Sequence, residues 1–160
     1  MSNYDSREDT TKHIMRVRKL VRRFRHLLNV RSINHDDSKM SSPEKETFDR
    51  VTPKLKSLTY GSAEYRKTLA EMKTALEHHY ANNRHHPEHF ENGIDEMTLV
   101  DVVEMLCDWK AASERHDDGD IMKSIEINQE RFNLSDQLAN ILKNTVLDMG
   151  LISEESINDA

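Results

Sequence analysis

The chain has 160 residues, a formal net charge of −6 and one cysteine. This length predicts one domain with its own core, and the single cysteine excludes an internal disulfide. Its longest apolar runs are too short for a membrane-spanning helix, and the net negative charge argues against a general nucleic-acid binder. Because the first residues also lack the pattern of a signal peptide, we expect a cytoplasmic protein.

Four glycines and three prolines interrupt the sequence, and alternating β-branched residues are rare, so we expect an almost entirely helical chain. The first helix is predicted from about Arg7 to Val30, because apolar residues recur there every three or four positions. They form a stripe that should face a core. A polar segment follows, and Ser42 before Pro43 predicts the start of a second helix that runs toward Leu58.

A third helix is predicted from about Ser62 into the histidine-rich stretch HHYANNRHHPEHF, residues 78–90. Pro87 disfavours helical geometry in the residue before it, so this helix should end near His85 or His86. Continued helix would place histidines seven positions apart on one face. Imidazole is the commonest side-chain metal ligand near neutral pH. The stretch therefore predicts a metal site, although a histidine-rich exposed helix end is the alternative.

The fourth helix is predicted to begin after Thr98, because Asp101 follows three positions later as in a capping box, and to continue through Ala112. At about 100° per residue, Asp101, Glu104 and Asp108 share an arc of about 60° on this otherwise apolar helix. If the arc is buried, its carboxylates must be paired, protonated or metal-bound. If it is not, they form a narrow stripe that faces solvent.

One or two further helices are predicted, the last from about Ser135 to a stop at Gly150. The sequence thus predicts an all-α bundle of about six helices. We expect it to form a single domain over residues 1–150, followed by a frayed tail at 151–160.

Two further groups of residues carry metal-binding chemistry. In NHDDSK, His35 is followed by Asp36 and then, three positions later, by Lys39. An adjacent His-Asp pair allows the imidazole to bind one metal ion while the carboxylate bridges to another. On the first helix, His13 lies beside the apolar stripe, whereas His26 lies among arginines on the opposite side, so His13 is the better candidate ligand.

Taken in chain order, these residues resemble the pattern of the HD-domain metalloprotein superfamily: a lone histidine, a His-Asp pair, further histidines and a final aspartate on a later helix. The segments NRHHPEH and EMLCDWKAAS look like the motifs of an uncharacterised HD-like family of bacteria and bacteriophages. This resemblance covers about Lys12 to Ser113. It implies an HD-like helical bundle, located in the host cytoplasm if the chain is phage-encoded.

The resemblance also implies a ligand set for two ions of a divalent metal or iron, with iron and manganese as the first candidates. The implied ligands are His13, His35, Asp36 and Asp108 for the first ion and His79 and His86 for the second. Asp36 would bridge the two ions, and His85 is the alternative to His86 because Pro87 makes the register there ambiguous.

Further roles follow from the same resemblance. Lys39 would act in catalysis together with Asp36 by contacting substrate oxygens. The arginines Arg22 and Arg23 of the first helix would join Lys39 in binding a substrate phosphate. Glu104 and Asp101 have no counterpart in the family pattern, and we assign them only a role in orienting a metal-bound histidine or water through hydrogen bonds.

Three functions are compatible with such a site. The first is a metal-dependent phosphohydrolase that acts on a nucleotide or another small phosphate ester through a metal-activated water. The second is a mixed-valent di-iron oxygenase that uses dioxygen, and the third is a non-enzymatic helical protein with a structural metal or a partner surface. We expect a small-molecule partner and no membrane or nucleic acid. The apolar residues after Ser113 would cap the bundle or form a homodimer interface.

Overall fold

The computed structural model describes residues 4–56, 58, 62–115 and 119–152, and these residues form helices joined by turns. Within them the all-α prediction is confirmed, with seven α-helices where about six were expected. In chain order they are α1 Arg7–Asn34, α2 Glu44–Lys56, α3 Ala63–Ala70, α4 Lys73–Asn82, α5 Leu99–Ser113, α6 Ile121–Phe132 and α7 Asp136–Asp148. Most of the predicted frayed tail, residues 153–160, lies outside the described residues.

The chain divides into two compact units, Met1–His35 and Asp36–Ala160. The first unit contains α1, which buries none of its residues. Ile14, Val17 and Phe24 of its apolar stripe are 43%, 42% and 37% exposed. Among the described residues of the first unit, α1 has no second helix to pack against, and the expectation that its stripe faces a core stays a prediction.

The second unit has its core between α5, α6 and α7. The buried residues of this core are Val102, Met105, Leu106, Trp109, Ile121, Ile125, Leu134, Ala139, Leu142 and Val146. At its edge the rings of Trp109 and Phe132 stack with their centroids 6.2 Å apart. The second unit thus has a core of its own, and the expectation of one domain over residues 1–150 stays a prediction.

The amino-terminal caps of α5 and α7 confirm two predicted helix starts. Thr98 Oγ1 accepts a hydrogen bond from the Asp101 backbone N–H (3.3 Å), and Asp101 Oδ2 accepts one from the Thr98 N–H (2.9 Å). These two bonds form the predicted capping box. Ser135 likewise caps α7 through the Leu138 N–H, at 3.2 Å.

The predicted third helix is two helices, α3 and α4, separated by a turn in which the Glu71 N–H donates to the Thr68 carbonyl at 3.1 Å. No glycine or proline stands at this turn, so no local residue pattern marks the break. Met72 beside it is buried. The side chains of Tyr65 and Leu69, two residues of the predicted apolar side, lie outside the described residues.

The end of α4 also differs from the prediction, because the helix stops at Asn82 rather than near His85 or His86. The side-chain amides of Asn82 and Asn83 donate to the carbonyl oxygens of residues 78 and 79, both at 2.8 Å. These amides bond carbonyl groups of the last turn, and Asn83 itself is extended with φ −123°. The histidines at 85 and 86 therefore lie in a turn after the helix.

In the part of the chain that the structure describes, every helix is too short or too polar to cross a membrane.

Candidate metal centre

Asp36 opens the second unit in an uncommon backbone conformation. Its φ of 60° lies in the left-handed region, which aspartate and asparagine adopt more readily than most other residues. The residue directly precedes the short 3-10 helix Asp37–Met40. Within that helix the Lys39 ammonium lies 2.5 Å from Asp36 Oδ2. One carboxylate oxygen of Asp36 therefore contacts a cation, and the other oxygen, Oδ1, faces the histidines of the second unit.

Three imidazoles converge on the Asp36 carboxylate, and two of them face its Oδ1 atom. This oxygen lies 3.3 Å from His79 Nε2 and 3.5 Å from His85 Nε2. The Nε2 atoms of His79 and His86 are 2.9 Å apart. One potential ligand atom from each of these four residues lies within 4.8 Å of all the others. Nitrogen and carboxylate oxygen donors at such spacing are the set that first-row transition metals prefer.

A buried carboxylate holds the opposite edge of the His79 ring. Glu44, the first residue of α2, is 0% exposed. His79 Nδ1 lies 2.9 Å from Glu44 Oε2, and His78 Nδ1 lies 2.7 Å from Glu44 Oε1. Sequence reasoning missed Glu44, because a glutamate at a helix start is ordinary and its partners are more than thirty positions away in the chain.

His85 has a comparable carboxylate partner on α5. Its Nδ1 lies 3.2 Å from Glu104 Oε1, while its Nε2 faces Asp36. Both side chains are buried, His85 to 1% and Glu104 to 8% exposure. Glu104 is therefore close enough to hydrogen-bond the His85 ring, and its role in orienting a metal-bound histidine stays a prediction.

Asp101 fixes the chain just before these histidines. Besides closing the capping box, its buried carboxylate accepts two hydrogen bonds from the Arg84 guanidinium, at 3.2 and 3.1 Å. The same guanidinium stacks on the Phe90 ring, 4.7 Å from its centroid. The described contacts of Asp101 therefore connect the histidine-bearing turn to α5 through Arg84, the residue next to His85.

The pKa values of the clustered histidines favour neutral imidazoles. Burial lowers the pKa of His86 to about 3, and the neighbouring His85 and His79 add to the shift. Burial, together with the charge of Lys39, also lowers the pKa of His79. Burial alone would raise the pKa of Glu44, but its hydrogen bonds to His78, Ser38 and His79 contribute to a net lowering. Neutral imidazoles and ionised carboxylates are the forms that bind metal ions.

Asp108 also belongs to this neighbourhood. One of its carboxylate oxygens lies within 4.8 Å of a carboxylate oxygen of Asp36, and its charge acts on His86, where it opposes the lowering of the pKa. Cys107, the adjacent residue, is exposed. The structure therefore joins Asp36, Asp108 and the histidines in the second unit, including both His85 and His86.

The remaining predicted residues belong to the first unit. His13, Arg22 and Arg23 are exposed along α1, and His35 follows the last residue of that helix. The peptide bond that joins His35 to Asp36 keeps these two residues adjacent. The predicted roles of these four residues in metal and phosphate binding are not settled by the structure of either unit and stay predictions.

The fold and the cluster together define an all-α protein with a buried group of histidines and carboxylates that could hold a metal ion. The model of a family of unknown function, DUF5662, matches residues 2–148, and the chain therefore belongs to this family. No curated protein and no solved structure matches the chain.

Proposed function

We propose that this chain is a metal-dependent phosphohydrolase of the HD type that acts on a nucleotide or another small phosphate ester. The observation that carries the proposal is the convergence of the imidazole nitrogens of His79, His85 and His86 on the Asp36 carboxylate in the second unit. Two of these imidazoles have a buried carboxylate at the other ring nitrogen. Metal-binding histidines characteristically have such a partner, whereas histidines scattered over a surface do not need one.

The donor set fits a metal ion. Asp36, His79, His85 and His86 would hold it, with Asp108 close enough to contribute a further oxygen. The described donors are imidazole and carboxylate, which suit iron, manganese, zinc and cobalt alike. Two ions would fit the number of donors.

A metal ion bound there supplies Lewis acidity, which activates water and neutralises negative charge on phosphate oxygens. The chain itself also supplies a positive charge, the ammonium group of Lys39. Lys39 is 31% exposed at its side chain while its ammonium contacts Asp36. It can therefore hold the carboxylate and also donate to a phosphate oxygen. Arg22 and Arg23 would extend this role if the basic face of α1 binds substrate.

A di-iron oxygenase is the first alternative, because the same imidazole and carboxylate donors can hold iron. A structural metal site in a non-enzymatic protein is the other alternative. The identity and number of the bound ions help to distinguish these three candidate functions, so the bound metal is measured before any substrate is tested.

The test compares Asp36→Asn with the wild-type protein, both prepared without a histidine tag and both with and without oxygen. Asparagine removes the charge but tolerates the left-handed backbone of residue 36, which alanine would strain. Asp37→Asn is the matched control, because Asp37 is the adjacent carboxylate and is exposed. We expect elemental analysis to find metal in the wild type and in Asp37→Asn, and little in Asp36→Asn.

The same three proteins are then assayed on a panel of nucleoside monophosphates and p-nitrophenyl phosphate. We expect turnover by the metal-loaded wild type and by Asp37→Asn, and none by Asp36→Asn. Asp36→Asn with normal metal content would contradict the proposed site. Two irons per chain with no phosphatase activity would support the oxygenase instead.

A further inference from the structure

Glu44 makes two hydrogen bonds to adjacent histidines of α4. It is 0% exposed, and each of its carboxylate oxygens meets one Nδ1 atom, that of His78 at 2.7 Å and that of His79 at 2.9 Å. These two histidines differ in surroundings, since the side chain of His78 is 39% exposed and that of His79 only 2%. The contact with His79 is therefore the one that lies inside the protein.

The His79 ring has two possible neutral forms, and the structure offers a partner for each of them. Glu44 as a carboxylate can only accept, so its bond requires a proton on His79 Nδ1 and leaves the lone pair on Nε2. The side-chain amide nitrogen of Asn83 lies 3.0 Å from the same Nδ1 atom. It can only donate, and its bond would require the proton on Nε2.

The two forms have opposite consequences for the centre. His79 Nε2 is the atom that lies 3.3 Å from Asp36 Oδ1, a carboxylate oxygen that would accept from a proton on Nε2. Glu44 Oε2 is closer to Nδ1, at 2.9 Å, and so favours the proton there. With the proton on Nδ1, Nε2 has a lone pair available for a metal ion. With the proton on Nε2, it does not. The Asn83 amide also donates to the His79 carbonyl oxygen at 2.8 Å, so it has a partner whichever form the ring takes.

We propose that Glu44 is a positioning residue, which keeps the proton of His79 on Nδ1 and so directs the Nε2 lone pair toward the metal site. This inference rests on the proposed function for the metal itself, but the position of the proton is a property of the metal-free protein. Removing a hydrogen-bond partner of a metal-binding histidine typically costs about 10- to 100-fold in metal affinity.

The first measurement is made on the metal-free wild-type protein. Long-range ¹H–¹⁵N correlation spectra of protein with ¹⁵N-labelled histidine report which ring nitrogen carries the proton. The His79 signals are assigned by their loss in His79→Gln. We expect the form protonated on Nδ1. The form protonated on Nε2 would overturn the proposal, whether or not the protein binds metal.

The second measurement is a Co²⁺ titration followed by visible absorption. Glu44→Gln keeps the size of the side chain and removes its charge, and we expect its affinity for Co²⁺ to fall by about 10- to 100-fold. Glu44→Asp keeps a carboxylate on a shorter side chain and should lose less. His78→Ala is the matched control, because it removes the other partner of Glu44, and its affinity should stay within about 2-fold of wild type.

The outcomes separate the two proposals. If wild-type protein binds no Co²⁺, the proposed function fails and the spectra alone decide the role of Glu44. If wild type binds Co²⁺ and Glu44→Gln binds it equally well, Glu44 does not position His79. An equal loss in His78→Ala and Glu44→Gln would also contradict the proposal, because it would assign the effect to His78. Circular dichroism checks that each variant is folded. If Glu44→Gln is unfolded, the ¹H–¹⁵N spectra of the wild-type protein decide the role of Glu44.

Discussion

The histidines of residues 78–90 have the same chemistry but different surroundings. His85 is 1% exposed and faces Asp36 through Nε2, whereas His89 Nδ1 lies 2.9 Å from the carbonyl oxygen of Tyr80. An N–H at His89 Nδ1 would donate to that carbonyl oxygen, and this hydrogen bond ties the turn to α4. Proximity in the sequence therefore does not give these residues one role.

This difference predicts the behaviour of two matched variants. His85→Gln should lower the affinity for Co²⁺ by more than about 10-fold, because losing a ligand costs at least as much as losing its hydrogen-bond partner. His89→Gln should stay within about 2-fold of wild type. Absorption titration measures both affinities. Equal affinities in wild type and His85→Gln would remove His85 from the set of ligands.

Sequence reasoning reached part of this site. It singled out Asp36, His79 and His86, with His85 as an alternative, because a His-Asp pair and clustered histidines are local signals. It could not choose between His85 and His86, and the structure brings both to Asp36. It missed Glu44, because nothing local marks a glutamate as the partner of histidines on another helix.

At the scale of the helices, local capping chemistry explains one correct prediction and one error. The start of α5 was predictable from Thr98 and Asp101, since both members of a capping box are visible in the sequence. The end of α4 was not. The predicted helix relied on Pro87 as the stop, but Asn82 and Asn83 end it earlier through side-chain bonds to its last carbonyls.

The capping box gives a prediction for stability. Thr98→Ala removes the hydroxyl that accepts from the Asp101 N–H, and we expect it to lower the free energy of unfolding by about 1 kcal/mol. Thr98→Ser keeps the hydroxyl and should cost less than about half of that. Urea unfolding followed by circular dichroism measures both. Equal destabilisation by the two substitutions would assign the effect to the lost methyl group instead of the cap.

For the whole molecule, the second unit contains both a helical core and the candidate metal centre. α5 belongs to both, because its Trp109 and Met105 lie in the core while its Glu104 contacts His85. A metal ion that binds the folded centre should therefore stabilise the unit against unfolding. The all-α class was predictable from composition and periodicity, whereas the assembly of this centre depends on contacts between distant segments.

We expect a measurable thermal effect of metal. At a Co²⁺ concentration of 100 times Kd, the folded state should gain up to about 2.7 kcal/mol, which raises Tm. Excess EDTA should reverse the change. Scanning calorimetry on wild type and Asp36→Asn measures it, and the variant should show little shift. A wild-type Tm that does not respond to Co²⁺ would contradict a metal site in the folded unit.

The local origin of the histidines has a consequence for the denatured chain. Three of the four converging ligands, His79, His85 and His86, come from eight consecutive residues, and only Asp36 comes from elsewhere. Closing such short loops costs little entropy, so we expect the three imidazoles to be able to chelate one metal ion in the unfolded polypeptide as well. Metal should bind this denatured state as well, which reduces the stabilisation below the value that the native affinity would give. The difference between the expected and the measured stabilisation gives the free energy of metal binding to the unfolded chain. The remaining stabilisation is the part of the metal affinity that folding adds.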